Sequence, residues 1–282
     1  MHSQQTNLIR SLNEFYTLLY QLGAYEETKI LRPEPSRSSS SIDPANRHPS
    51  GAINRAAALA AGFTPAAVDL MDQIPYLDVG VLEFQICPNT FAINYRNEKD
   101  HDQGSFEAWR STCSPEIELP ENTVALTQAS GGGRTWLYDV GTGLMRDWDL
   151  GSEEDPLVVP ADLPSKVLAP YIEKYRSLHY LIIPTGLDCA WELFMAGQPP
   201  EDWGPWDRLD WYLDYGQWKA TRYILQLYLQ HGWEVTSGMP LSQEQFRRPD
   251  FLRARDQYWA EVVVPLGQAT EMFRRQRMVE TL

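Results

Sequence analysis

The sequence of residues 131–148 is GGGRTWLYDVGTGLMRDW, and it carries the clearest β pattern in the chain. Side chains alternate over residues 134–140, so Trp136 and Tyr138 share one face of an extended segment. The other face carries Thr135, Leu137 and Asp139. A second glycine pair then turns the chain into residues 144–148. The stretch predicts an antiparallel hairpin with glycine at both corners.

The triple glycine at 131–133 also raises the question of a phosphate-binding loop. Such a loop ends in Lys followed by Ser or Thr, and it opens a helix whose amide groups face the anion. Here Arg134 and Thr135 begin a predicted strand instead. The pair Gly141 and Gly143 lacks the third glycine and the helix of a dinucleotide-binding fingerprint. We therefore interpret both glycine clusters as turns, and we expect no cofactor.

Helical patterns surround this region. Apolar residues at helical spacing over 8–22 predict an amphipathic helix, with Thr6 as its N-cap and Gly23 just beyond its end. Thr64, followed by proline, predicts the start of a helix that runs through residues 68–74. From Leu163 onward the pattern is again mostly helical, with a helix stop at His231-Gly232, whereas the apolar segment 180–183 fits a strand or a helix.

Three further alternating segments predict short strands, at residues 81–86, 91–95 and 123–127. Together the patterns predict an α+β fold: a central twisted antiparallel sheet with a Gly-rich hairpin, flanked by helices, and a largely helical C-terminal part from about residue 163. Residues 32–50 are rich in Ser and Pro and have little to bury, which predicts a flexible loop. The expected segments are an N-terminal helix at 1–31, this loop at 32–50, and a main α+β domain at 51–282.

Charge and cysteine usage narrow the range of partners. The chain has 282 residues, with 24 Lys and Arg against 38 Asp and Glu, for a formal net charge of −14. Such a field repels phosphate backbones and anionic bilayers, so we expect no nucleic acid and no membrane as partner. No apolar run approaches the roughly 18 residues that span a bilayer. The cysteines are few, scattered and odd in number, which argues against a disulfide framework and predicts a cytoplasmic protein. They are Cys87, Cys113 and Cys189.

Catalytic candidates are sparse. The five histidines show no zinc-ligand spacing, so we expect no metal. Asp139 and Asp147, beside the hairpin, are candidate acids or bases, and His179 is the third. Asp147 and Asp149 would share one face of a strand, and a solvent-exposed strand edge also explains them.

Aromatic residues are unusually frequent, with 10 Trp and 14 Tyr. In residues 203–218 they alternate with aspartates, which disfavours stacking on nucleic acid but suits an apolar pocket or a docking surface. Core packing is the other interpretation, because aromatic residues at helical spacing usually form a buried face. The candidate binding residues are Trp136, Tyr138, Trp148, Trp211, Tyr215 and Trp218.

Residues 125–139, ALTQASGGGRTWLYD, resemble the glycine-rich core of the SUKH superfamily, which includes yeast regulators of glucan synthesis and bacterial toxin-immunity proteins. A broader pattern is similar to a family of uncharacterised filamentous-fungal proteins. It comprises AAGFTP at 60–65, LM at 70–71, PYL at 75–77, the hairpin, and LYLQHGW at 227–233. The resemblance implies a twisted antiparallel sheet flanked by helices, and a binding or regulatory role without catalysis. It carries over no catalytic residues.

Two function hypotheses follow. The first is a non-catalytic, cytosolic interaction or regulatory module of SUKH-like type, in which the hairpin and the aromatic helix face a protein partner. The second is an enzyme or binding protein for a small apolar metabolite in a Trp/Tyr-lined pocket, for example with cyclase- or isomerase-like chemistry in fungal secondary metabolism. A cavity with a desolvated titratable group favours the enzyme, whereas a filled core contradicts it. A scaffold switched by phosphorylation of serines in 36–41 is a third alternative.

Overall fold

The computed structural model describes residues 2–34, 46–78, 84–96, 101–111, 117–152, 155–182, 190–192, 219–235 and 245–265, with the backbone alone at 2–4 and 190–192. Inter-residue contacts divide the chain into two units. Unit 1 comprises Met1–Tyr20, Tyr25–Ile172 and Gly186–Asp188, and unit 2 comprises Gln21–Ala24, Glu173–Thr185 and Cys189–Leu282. The segments expected at 1–31, 32–50 and 51–282 stay predictions.

Helices and strands are interspersed along the chain. The helices are α1 (His2–Gln21), α2 (Arg55–Ala60), α3 (Pro65–Met71), α4 (Gln103–Arg110), α5 (Pro164–Arg176), α6 (219–230) and α7 (Arg248–Tyr258). The strands are β1 (Ile30–Leu31), β2 (Tyr76–Leu77), β3 (Gln85–Cys87), β4 (Thr90–Ala92), β5 (Thr123–Ala125), β6 (Thr127–Ala129), β7 (Arg134–Asp139), β8 (Leu144–Asp149), β9 (Ala161–Asp162), β10 (Tyr180–Ile182) and β11 (Ala190–Glu192). A 3-10 turn covers Glu27–Lys29, and a π-helical turn at Trp259–Val263 continues α7. Every strand pair that is described is antiparallel, so the predicted α+β class is confirmed.

Capping side chains set several helix boundaries. In α3 the Thr64 hydroxyl accepts a hydrogen bond from the Ala67 amide at 3.2 Å, and proline occupies the first turn, as predicted. The helix ends at Met71, earlier than the predicted Ile74. Helix α1 begins at His2, so the prediction of Thr6 as its N-cap is wrong. Gly23 follows α1 with a positive φ of 83°, the conformation that glycine adopts at a helix C-terminus.

The predicted strand at 123–127 is in fact two strands, which connect two sheets. Strand β5 belongs to a four-stranded sheet of order β5-β7-β8-β9, and β6 belongs to a three-stranded sheet of order β3-β4-β6. Between them the Leu126 amide donates to the Trp136 carbonyl oxygen at 2.7 Å. The Thr127 hydroxyl then accepts from the Trp136 amide at 2.7 Å and donates to the Arg134 carbonyl oxygen at 3.0 Å. A side chain thus replaces the ladder bonds between β6 and β7. Instead of one central sheet, the described residues of unit 1 form two connected sheets and the small pair β1-β2.

Strands β7 and β8 pair in continuous register from Arg134 opposite Asp149 to Asp139 opposite Leu144. Residues directly opposite each other share a face, so Trp136 and Asp147 lie side by side. We call this the helix face, because rings from α1 and α5 contact Trp136: Phe15 at 5.5 Å and Tyr171 at 5.1 Å between centroids. The opposite face, which we call the pocket face, carries Thr135, Leu137, Asp139, Leu144, Arg146 and Trp148.

The triple glycine connects β6 to β7. The Gly133 amide donates to the Ser130 carbonyl oxygen at 2.6 Å, and Gly132 has a φ of 78°. Gly133 lies so close to the Asn89 carbonyl group that a Cβ there would overlap it. The three glycines therefore lead into a strand, and the third fits a close approach between two backbone segments.

Unit 2 contains the strand pair β10-β11 and the helices α6 and α7, which resolves the ambiguous segment near 180 as a strand. Its core is aromatic: the Tyr228 ring stacks on Phe251, with centroids 4.1 Å apart. The end of α1 belongs to this unit, where the Leu22 carbonyl oxygen accepts from the Tyr228 hydroxyl at 2.7 Å and the Gly23 carbonyl oxygen accepts from Arg255 at 2.8 Å. The predicted helix stop is confirmed, since Gly232 follows α6 with a φ of 90°.

Candidate functional site

The aromatic residues of the hairpin are buried. Trp136 and Tyr138 are 0% exposed, and Trp148 is 2% exposed. The first two lie on the helix face and Trp148 lies on the pocket face, so they do not form one surface. The hypothesis that these three side chains face a partner is therefore wrong, because they are part of the core. The other candidate binding residues, Trp211, Tyr215 and Trp218, lie outside the described residues.

Asp139 is committed to the turn that closes the hairpin. Its Oδ1 accepts hydrogen bonds from the Asn122 side-chain amide at 2.8 Å, the Gly141 amide at 2.7 Å and the Thr142 amide at 3.1 Å. These contacts position the chain for the return strand. They give this carboxylate a structural role in the turn.

Asp147 is on the helix face, and its surroundings are unusual for a carboxylate. Its Oδ2 accepts a hydrogen bond from the Tyr171 hydroxyl at 2.6 Å, whereas its Oδ1 is buried without a hydrogen-bond partner. Burial raises the pKa of Asp147, and the Tyr171 hydrogen bond and the Arg134 charge oppose that rise only in part. The Trp136 indole N–H also lowers the pKa, yet it too is without a hydrogen-bond partner, so its contact with the carboxylate is weak.

The surroundings of Asp147 overturn the sequence-based interpretation of this residue. Strand β9 pairs with β8 only at Met145 and Arg146, so it does not cover Asp147. The Asp147 carboxylate is nevertheless buried at Oδ1 and bound by Tyr171 at Oδ2, unlike a solvent-exposed residue of a strand edge. Asp149, on the same face, is half-exposed and pairs with Arg134 at 3.5 Å. The two aspartates therefore have different environments despite their shared face.

His179 is not part of unit 1, to which these two acids belong. It belongs to unit 2, where it is exposed and its ring lies 5.9 Å from that of Tyr180. Asp139 and Asp147 belong to unit 1 but lie on opposite faces of the hairpin. The two acids thus do not form the close pair that acid–base catalysis would use.

A pocket of about 330 Å³ adjoins the pocket face of the hairpin within unit 1. Its floor consists of buried residues from three strands and two connecting segments. They are Ile93, Leu119, Ala125, Thr127 and Thr135. Its rim is exposed and comprises Ala108, Ser111 and Gln128, and half-buried Trp109 completes the lining.

Trp109 forms a wall of this pocket and is held by other rings. Its centroid lies 4.8 Å from Tyr95, 4.8 Å from His101 and 5.4 Å from Phe106, each in an edge-to-face arrangement. Tyr95 in turn donates to the Ala125 carbonyl oxygen at 2.8 Å, which ties this cluster to the floor. The wall is therefore held in place by contacts within the protein.

Polar groups in the pocket are few. The Thr127 hydroxyl already donates and accepts within the sheet. Thr135, by contrast, is 6% exposed, and its hydroxyl has no hydrogen-bond partner among the described residues. Arg110 lies next to Trp109 in the chain, but its guanidinium donates to the Ala61 and Leu119 carbonyl oxygens at 2.7 and 2.8 Å and pairs with Glu118 at 2.9 Å. None of the nine lining residues is ionisable.

Sequence reasoning missed this pocket because it missed α4. The signal was present: the Asp102 carboxylate caps the helix by accepting from the Ser105 amide at 2.9 Å, and Phe106 and Trp109 follow at a spacing of three residues. That pattern predicts a short helix with an aromatic face.

Within the described ranges, no group of three or more His, Cys, Asp or Glu could hold a metal ion. The helices in those ranges include none that is both long and apolar enough to cross a membrane. The SUKH resemblance stays a prediction, because no family model, no curated protein and no solved structure matches this chain.

Proposed function

We propose that this protein is a non-catalytic binding module whose ligand enters the pocket beside the hairpin. The observation that supports this is the pocket itself: about 330 Å³, with a mostly apolar, buried floor and few polar groups. Small-molecule sites have about 300–1,000 Å³ and the same composition. The ring contacts of Trp109 favour a preformed site, which reduces the entropy lost on binding.

The composition of the lining favours binding over catalysis. General acid–base chemistry needs a titratable side chain within hydrogen-bond reach of the substrate. The lining offers none, Asp139 is committed to its turn, and Asp147 lies on the other face of the hairpin. A cyclase- or isomerase-like enzyme at this pocket would need a catalytic group other than the nine lining residues and these two aspartates.

A regulatory module that binds a protein partner is our second candidate. The exposed rim at Ala108, Ser111 and Gln128 favours it, because an apolar side chain of a partner could enter from that side. The SUKH resemblance implies the same class of role. A cytoplasmic location stays a prediction from cysteine usage, and Cys87, the cysteine that the structure describes, is buried.

A blocked rim tests the proposal. Ala108→Trp places a large ring on the exposed face of α4 at the mouth of the pocket, and Ala56→Trp places the same ring on the exposed face of α2 as a control. We expect neutral one- and two-ring fragments to bind the wild type and Ala56→Trp in ligand-observed NMR, and to lose binding to Ala108→Trp. Fragment binding that persists in Ala108→Trp, or no fragment binding to the wild type, would refute a small-molecule site here.

A further inference from the structure

We infer that the ligand of this pocket is a neutral molecule of about two fused rings with one hydroxyl or carbonyl group, which hydrogen-bonds to Thr135. This inference rests on the proposed binding function and adds the chemical class of the ligand. Three properties of the lining carry it: its volume, its lack of charge, and the state of its two threonine hydroxyls.

The volume of the pocket determines the size of the ligand. An apolar protein cavity of about 150 Å³ accommodates one benzene molecule. The pocket, at about 330 Å³, is roughly twice as large and has an open rim. A bicyclic molecule therefore fills it, whereas a single ring would leave part of the floor without contacts.

The absence of ionisable groups in the lining favours a ligand without charge. A charged ligand that enters an apolar floor loses its hydration, and that loss is large unless an opposite charge replaces it. Arg110, which follows Trp109 in the chain, is already bound by Ala61, Leu119 and Glu118. The net charge of −14 further disfavours anions. A neutral ligand avoids both costs.

The hydroxyl groups of the two threonines in the floor indicate which polar group the ligand carries. Thr127 has both its donor and its acceptor functions occupied by the backbone of β7. Thr135 has a free hydroxyl at a position that is 6% exposed. A purely apolar ligand would cover this hydroxyl and leave it unsatisfied, which is unfavourable. A ligand with one hydroxyl or carbonyl group satisfies it.

Three probes of the same ring system separate these properties: 2-naphthol, naphthalene and 2-naphthoate, measured by isothermal titration calorimetry at neutral pH. We expect the wild type to bind 2-naphthol most tightly and 2-naphthoate most weakly. Thr135→Val removes the hydroxyl and keeps the shape, so it should weaken 2-naphthol binding by about 3- to 10-fold, the effect of one hydrogen bond. It should not weaken naphthalene binding and should tighten it, because naphthalene then leaves no hydroxyl unsatisfied. Thr135→Ser keeps the hydroxyl and should retain the preference for 2-naphthol.

The outcomes distinguish the two levels of the proposal. If none of the three probes binds, the pocket function itself fails. If all three bind the wild type equally and Ala108→Trp abolishes binding, the pocket function stands and the inferred ligand class is refuted. Tighter binding of 2-naphthoate than of 2-naphthol refutes neutrality. These comparisons use the wild type, so they hold even if a Thr135 variant folds poorly.

Discussion

Removal of the Tyr171 hydroxyl should destabilise the protein in a pH-dependent way. In Tyr171→Phe the ring remains to contact Trp136 at 5.1 Å, but Asp147 Oδ2 loses its donor at 2.6 Å. Asp147 Oδ1 already has no partner, so the carboxylate would be left without a hydrogen bond on either oxygen. Loss of a hydrogen bond to a charged, partly buried group costs about 1.5–3 kcal/mol. We expect a decrease of that size in the free energy of unfolding at neutral pH.

The sign of the pH dependence follows from the pKa of Asp147, which burial raises above its ordinary value of 3.8. The folded state therefore holds the Asp147 proton more tightly than the unfolded state. The stabilisation from that proton is fully present below the unfolded-state pKa and is lost as pH rises through the folded-state pKa. Asp147→Asn cannot titrate, so it should remove this part of the pH dependence. Tyr171→Phe should be most destabilising where Asp147 is ionised.

Urea unfolding, followed by circular dichroism from acidic to neutral pH, gives the free energy of unfolding and its pH dependence. The proteins to compare are wild type, Tyr171→Phe, Asp147→Asn and the double variant. Tyr223→Phe is the control, because Tyr223 is 41% exposed and its hydroxyl has no partner among the described residues; it should change stability by less than about 0.5 kcal/mol. A Tyr171→Phe variant as stable as Tyr223→Phe would show that the hydrogen bond is absent in solution. An unchanged pH slope in Asp147→Asn would show that Asp147 has an ordinary pKa.

Three further substitutions test the fold. Gly133→Ala should destabilise the protein by about 1–3 kcal/mol in urea unfolding, because its Cβ would overlap the Asn89 backbone. Gly131→Ala is the control and should be nearly neutral, because the space around Gly131 is open. Equal stabilities of the two variants would contradict the close approach of Gly133 to Asn89. Trp136→Ala should cost about 3–5 kcal/mol in the same assay, as a buried ring is lost, and a variant of wild-type stability would place that ring outside the core. Gly62→Ala should be less stable than Gly51→Ala, although Gly62 and Gly51 both have a positive φ. The reason is that a Cβ at Gly62 would displace the Arg110 guanidinium from the Ala61 carbonyl oxygen. The reverse order of melting temperatures would refute that contact.

Local patterns predicted the elements best where one segment carried the whole signal. Alternation alone indicated β7 and β8, and Thr64 with its following proline indicated α3, because both depend on neighbours within a few residues. The pairs β1-β2 and β8-β9 were not predictable in this way. Each involves a strand of two residues, too short to show a period, and its pairing is fixed by tertiary contacts.

The candidate site was less predictable, because alternation assigns residues to faces but does not say which faces are covered. Trp136 and Tyr138 were correctly assigned to one face, yet their burial depends on Phe15, which is more than a hundred residues away in the chain. The pocket likewise combines Trp109 of α4 with Thr135 of β7, and only the folded chain brings them together. Catalytic candidates chosen by residue type, such as Asp139, have structural roles that sequence spacing does not show.

The most direct test of the binding role is a map of methyl chemical shifts as 2-naphthol is added to the wild-type protein. If the pocket beside the hairpin is the binding site, the methyl groups of Ile93, Ala125 and Thr135 should shift together along one saturable curve. The methyl chemical shifts of Met145, on the helix face, and of Ile224, in unit 2, should not change. Shifts at Met145 or Ile224, with the three pocket methyl groups unmoved, would contradict the account.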